Sequence, residues 1–207
     1  MLESQAASLG GAARPVAPRT GGVAGNARLT GAVAVALLVL LAAEGVTIPF
    51  IGQLLGPHIF IGLLLVPPVA LKMASTGYRF ARYYSHDEAY VRKGPPPIAL
   101  RLPAPGVVLT TLAVFGTGIA LLFAGPPSNT LIFAHKLSFI AWVALMTLHV
   151  LGHLLELPRL ASADWRRGGP REARLAGAGV RAGLLAGVIA LGVALGFLAL
   201  SLGQAWL

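Results

Sequence analysis

The sequence predicts an all-α membrane protein, a five-helix transmembrane bundle with its N-terminus inside and its C-terminus outside. Three observations lead there. Hydrophobic residues make up 56% of the 207-residue chain and charged residues only 11%, with a mean hydropathy of +0.77, whereas soluble domains carry about 25% charged residues. Five apolar runs each reach the length of about 20 residues that a bilayer-crossing helix requires. The basic residues gather in alternate connecting segments, as the positive-inside rule demands. The net charge of +9 therefore reads as membrane orientation and not as a nucleic-acid footprint. The chain has no cysteine, which excludes disulfides, thiolate-ligated iron–sulfur clusters and cysteine zinc sites.

Residues 1–28 are rich in Gly, Ala, Pro and Ser without apolar periodicity, the composition of a disordered tail. The tail lacks the charged start, short apolar stretch and small-residue cleavage site of a signal peptide. The bundle occupies 29–207, with spans expected at Leu29–Ile48, Leu54–Tyr78, Pro105–Ala124, Asn129–Leu157 and Ala176–Leu202. Pro- and Gly-containing segments mark the joins: "PFIGQLLGP", "GPPPIALRLPAP" and "GPPSN". Pro67 and Pro68 fall inside the second span and should kink it. The third and fifth spans, with "FGTGIA" and "LAGAGVRAGLLAGVIALGVALGF", carry small residues that let helices approach closely.

Orientation follows from the connecting segments. Arg14, Arg19 and Arg28 precede the first span; Arg79, Arg82, Arg92, Lys93 and Arg101 follow the second; Arg159, Arg166, Arg167, Arg171 and Arg174 follow the fourth. The segments at 49–57 and 125–129 and the final "GQAWL" carry no basic residue. Cytoplasmic basic segments and an odd number of spans agree on the same topology.

Within this frame "FAHKLSFIAWVALMTLHVLGH", residues 133–153, places three histidines in a membrane span. His58 lies near the outer end of the second span and His135 at similar depth in the fourth. His149 follows His135 by fourteen residues, about 21 Å along a helix and within about 40° of the same face; His153 follows four residues later on that face. Ionisable groups at such depth mark function more often than decoration, although a histidine also serves simply as a hydrogen-bonding link between helices. A zinc site needs three or four converging ligands, and His149 is too far in depth from the outer pair. A proton relay would want carboxylates nearby, and Glu44 alone lies well inside a span. Haem suits the arrangement most economically, since its iron takes one imidazole from each of two facing helices and its apolar ring sits between them.

The H-x13-H spacing on one helix, with a histidine at matching depth on another, resembles the membrane b-type cytochromes of the bacterial cytochrome b and ferric-reductase-like transmembrane kind. The resemblance covers about residues 29–203 and is carried by the histidine spacing. It implies haem b, electron transfer through the membrane, and a quinol or redox partner protein as donor or acceptor. Carried over by position, His58 and His135 would ligate the iron of an outer haem and His149 that of an inner one. The chain departs from the pattern fourteen residues after His58, where Lys72, beside Met73, stands in place of a second histidine; His86 and His153 are further candidates there.

Tyr78, Arg79, Arg82, Tyr83 and Tyr84 close the second span as an aromatic and basic interface belt, with Arg79 placed to pair with a haem propionate. Lys136 can snorkel outward or meet Glu44, and Trp142 reads as a packing residue. No glycine-rich nucleotide fingerprint follows a strand and no loop is long enough for a flavin domain, so NAD or flavin chemistry would belong to a partner. The competing function class is a non-redox transport or structural protein whose histidines only link helices. The Ala, Gly, Arg, Leu and Pro bias is that of a high-GC bacterium, which places the expected multi-pass chain in a bacterial inner membrane.

Overall fold

The computed structural model describes residues 22–94, 101–153 and 177–207. Among them the chain forms α1 (Gly22–Thr47), α2 (Ile51–Tyr84), the short α3 (Glu88–Lys93), α4 (Ala104–Ala124), α5 (Asn129–His153) and α6 (Ala178–Leu202), closed by a 3-10 turn at Gln204–Trp206. Five of these helices, α1, α2, α4, α5 and α6, are long and apolar enough to cross a membrane. The protein is thus an all-α, multi-pass membrane protein, with lipid covering the many large apolar side chains that face outward, among them Val39, Leu109, Phe133, Ile140 and Phe197.

The element boundaries refine the sequence reading. Helix α1 begins at Gly22, inside the stretch expected to be tail, while residues 1–21 lie outside the described ones. Helix α2 runs further than expected at both ends. Its backbone passes through Pro67 and Pro68 with helical dihedrals; the one non-helical residue is Leu54 (φ −110°, ψ 23°). A proline removes the hydrogen bond to the carbonyl four residues earlier, and the Leu64 carbonyl, left over by Pro68, meets α6 at Gly192 instead. The fourth span was expected to reach Leu157, and its end beyond His153 lies outside the described residues.

Two packing units result. Helices α1 and α6 both pack against α2, whereas α4 and α5 pack mainly on each other and touch α2 and α6 only sparsely. Helix α6 approaches α2 through a small-residue pair four apart: a side chain at Gly192 would collide with the Leu64 carbonyl, and one at Gly196 would come within 2.7 Å of the Phe60 ring. This is the close approach that small residues permit where lipid leaves little hydrophobic drive between helices. Near the other end of α1 and α2, Asn26 Nδ2 donates to the Ser75 carbonyl (3.1 Å), the Thr30 hydroxyl lies 3.1 Å from that of Ser75, and Lys72 Nζ donates to the Thr30 carbonyl (3.0 Å).

The α4–α5 unit is held by Trp142 Nε1 donating to the buried Thr111 hydroxyl (2.9 Å). Gly125, at φ +74°, ends α4 in a conformation that favours glycine, and its N–H bonds the Leu121 carbonyl. The turn to α5 is then only a few residues, which makes the two helices antiparallel neighbours. At the chain end Trp206 Nε1 donates to the Leu121 carbonyl (3.0 Å), tying the turn after α6 to α4. Asp87 caps α3 by accepting from the N–H groups of Ala89 and Tyr90 and pairs with Arg82.

Candidate functional site

A cavity of about 1770 Å³ separates the two packing units and runs most of the length of α2. It is well above the range of about 300–1,000 Å³ usual for small-molecule pockets. Its wall is mainly apolar, and the polar groups on it are few and segregated. His58, Glu44 and His135 stand toward one end; Lys72, Arg79 and His149 stand toward the other.

His58 and His135 come together from opposite sides of this gap. Their ring centroids are 6.3 Å apart and the planes are inclined at 78°. Helix α2 supplies one ring and α5 the other, although these two helices pack on different neighbours. The sequence placed the two residues at equal depth, and the fold turns them toward each other.

Each ring is fixed through its Nδ1. His58 Nδ1 lies 3.0 Å from the Thr47 hydroxyl and 2.9 Å from Glu44 Oε1. The Thr47 hydroxyl donates its single proton to the Glu44 carbonyl (2.6 Å), so toward His58 it can only accept, and Nδ1 is the donor. His135 repeats the logic. Its Nδ1 lies 3.0 Å from the Thr117 hydroxyl, whose proton goes to the Ala113 carbonyl (2.7 Å), and Ser138 beside it donates to the His135 carbonyl (2.9 Å). His135 also bonds the Val114 carbonyl on α4. The network thus assigns both imidazoles the same tautomer, Nδ1–H with the lone pair on Nε2.

That is the state a metal-binding imidazole requires, with the far nitrogen donating to an oxygen and the near one presenting a lone pair. Two imidazoles on one metal, at about 2.0 Å per metal–nitrogen bond and about 1.1 Å from nitrogen to ring centre, put their centroids about 6.2 Å apart. The observed centroid separation is 6.3 Å, with the rings edge to face. Among the described residues no group of three or more His, Cys, Asp or Glu is placed to hold a metal ion. A metal held by this pair would need its other ligands from elsewhere.

Room for the imidazole comes from Gly118 on α4. A Cβ there would stand 3.1 Å from His135 Cε1, whereas one at Gly116 would meet nothing within 4 Å. The small residues of "FGTGIA", read from sequence as helix packing, include one that makes space for the ring. Thr47, Thr117 and Gly118 were not singled out in the sequence. Only their spacing held a signal, Thr47 lying one turn after Glu44 and Thr117 beside Gly118 in a span of otherwise apolar residues.

The other expected residues spread along the cavity. His149, Lys72, Met73 and Arg79 all line it, but away from the imidazole pair. Lys72, which takes the place of a second histidine in the resemblance, has its ammonium on the Thr30 carbonyl. Arg79 donates to the Gly94 carbonyl (3.3 Å). His153 is the last residue of α5, and its side chain lies outside the described ones. His86 is exposed in the turn between α2 and α3, at φ +60°, and does not line the cavity. Lys136 is exposed on the cavity rim, while Glu44 engages His58 instead of Lys136.

Comparison of the chain with protein-family models, with curated proteins and with solved structures gives no match.

Proposed function

We propose that this protein is a membrane b-type cytochrome that holds one haem b between α2 and α5, with His58 and His135 as the two axial ligands. One observation carries the reading: the imidazoles of His58 on α2 and His135 on α5 approach to 6.3 Å between ring centroids on the wall of a large apolar cavity, each with its Nδ1 beside a threonine hydroxyl. A bound haem supplies reversible one-electron carriage. The protein's own residues do the rest. Thr47 and Glu44 orient one ring, Thr117 orients the other, Gly118 leaves space for it, and the apolar walls keep water from the metal.

On this reading the chain serves a quinol or a partner redox protein, because its own loops offer no nucleotide-binding fingerprint. The alternation of basic segments supports a cytoplasmic N-terminus, with the His58–His135 pair near the outer face of what the reading takes as a bacterial inner membrane. An inner haem between His149 and Lys72 or Met73 has less support, since Lys72 is engaged by Thr30.

A non-redox reading also draws on a specific observation. The Nδ1 bonds of His58 join α1 to α2, and those of His135 join α4 to α5, so both histidines link helices that already pack together. It gives no reason for the two rings to converge on one cavity. An absorption spectrum of protein purified in detergent separates the readings. The cytochrome gives a sharp α-band on reduction and one haem per chain. No band after expression with ample haem leaves the helix-linking role.

A further inference from the structure

The cavity extends well past the imidazole pair, and its far part has a chemistry of its own. Lys72 lies fourteen residues after His58, about 21 Å along α2, and Arg79 lies seven residues further on the same face. A macrocycle centred between the imidazoles does not span that distance. Lys93 and Arg101 also line this end, as do the rings of Tyr83 and Tyr84. Among the described residues the acidic one on this wall is Glu44, at the opposite end and occupied with His58. Lys72, Arg79 and Arg101 therefore converge on the end of an apolar slot, and among the described residues none of the three pairs with a carboxylate.

Lys72 sharpens the point. Its ammonium sits within a membrane span, where charge is costly unless paired, yet its hydrogen bond goes to a neutral carbonyl and no carboxylate lies within ion-pair distance among the described residues. Two of its three N–H donors remain for another acceptor. Arg79 and Arg101 likewise make hydrogen bonds to neutral oxygens, those of Gly94 and Tyr84. The arrangement asks for a ligand with an apolar chain and an anionic, oxygen-rich head.

We infer that this end of the cavity is a binding site for one anionic phospholipid. Its phosphate sits between Arg79 and Arg101, its ester oxygens accept from Lys72, and an acyl chain fills the slot toward His149 and Met146. Basic pockets between helices at a membrane interface recognise such head groups, and the tyrosines supply the amphipathic rings favoured at that depth. The site does not depend on the haem.

Native mass spectrometry of the full chain tests it, after exchange into nanodiscs of phosphatidylcholine with or without phosphatidylglycerol. The expected result is one retained phosphatidylglycerol per chain, chosen over phosphatidylcholine, with or without haem. Replacing two basic residues together, Lys72→Met with Arg79→Gln, should weaken retention about thirtyfold, while Lys72→Arg with Arg79→Lys should keep it and reports on folding. Equal retention of the two lipids overturns the inference. So does displacement by inorganic phosphate, which would mean a phosphate site, or a second haem mass in place of the lipid.

Discussion

The hydroxyl of Thr47 accepts from His58 Nδ1 because its own proton is committed to the Glu44 carbonyl. Thr117 stands in the same relation to His135 through Ala113. Two unrelated helices thus use one device, a threonine bonded to its own backbone, to leave a histidine with its lone pair on Nε2.

If the two imidazoles share one iron, His58→Ala and His135→Ala should each abolish the low-spin haem spectrum, and the double variant should look like either single one. His149→Ala should leave most of the α-band. Reduced-minus-oxidised spectra of the four variants decide this. Equal and additive losses from His135 and His149 would instead indicate two separate haem sites.

Thr117→Val removes the threonine acceptor for the Nδ1–H of His135, and Thr47→Val combined with Glu44→Leu removes both acceptors at His58. Partners of this kind are worth about 10–100-fold in metal affinity. Each variant should bind haem at least about tenfold more weakly in a titration of apoprotein, with helix content by circular dichroism unchanged. Affinity equal to that of the parent would remove the tautomer-fixing role.

The glycines separate site from scaffold. Gly118→Ala brings a methyl to 3.1 Å from His135 Cε1 and should shift the haem spectrum while leaving thermal stability near that of the parent. Gly192→Ala forces a methyl into the Leu64 carbonyl at the α2–α6 contact and should cost about 2 kcal/mol, within the usual range for overpacking, as a lowered unfolding midpoint. Gly116→Ala, in open space, is the control and should do neither.

Topology is checked by reporter fusions. Fusions after residue 90 and after residue 165 should report a cytoplasmic location and one at the C-terminus an external location. A cytoplasmic C-terminus would invert the proposed depths and put the imidazole pair near the inner face.

Helix number and placement were legible in the sequence because crossing a bilayer imposes a length and an apolarity that one segment satisfies or fails by itself. Equal depth for His58 and His135 followed from the same rule, by counting residues from span ends. The course of α2 was legible only in part. Pro67 and Pro68 announced a kink, whereas the dihedrals there are helical and the irregular residue is Leu54.

The partners of each side chain were decided by the tertiary structure alone. Helical periodicity fixes the direction of a residue about its own axis but not which neighbour lies in that direction. Nothing local says that α2 packs between α1 and α6 while α4 and α5 form a separate pair, and it is this division that opens the cavity. The same limit hid Thr47, Thr117 and Gly118, whose residue types are ordinary in a membrane helix until a second helix brings an imidazole against them.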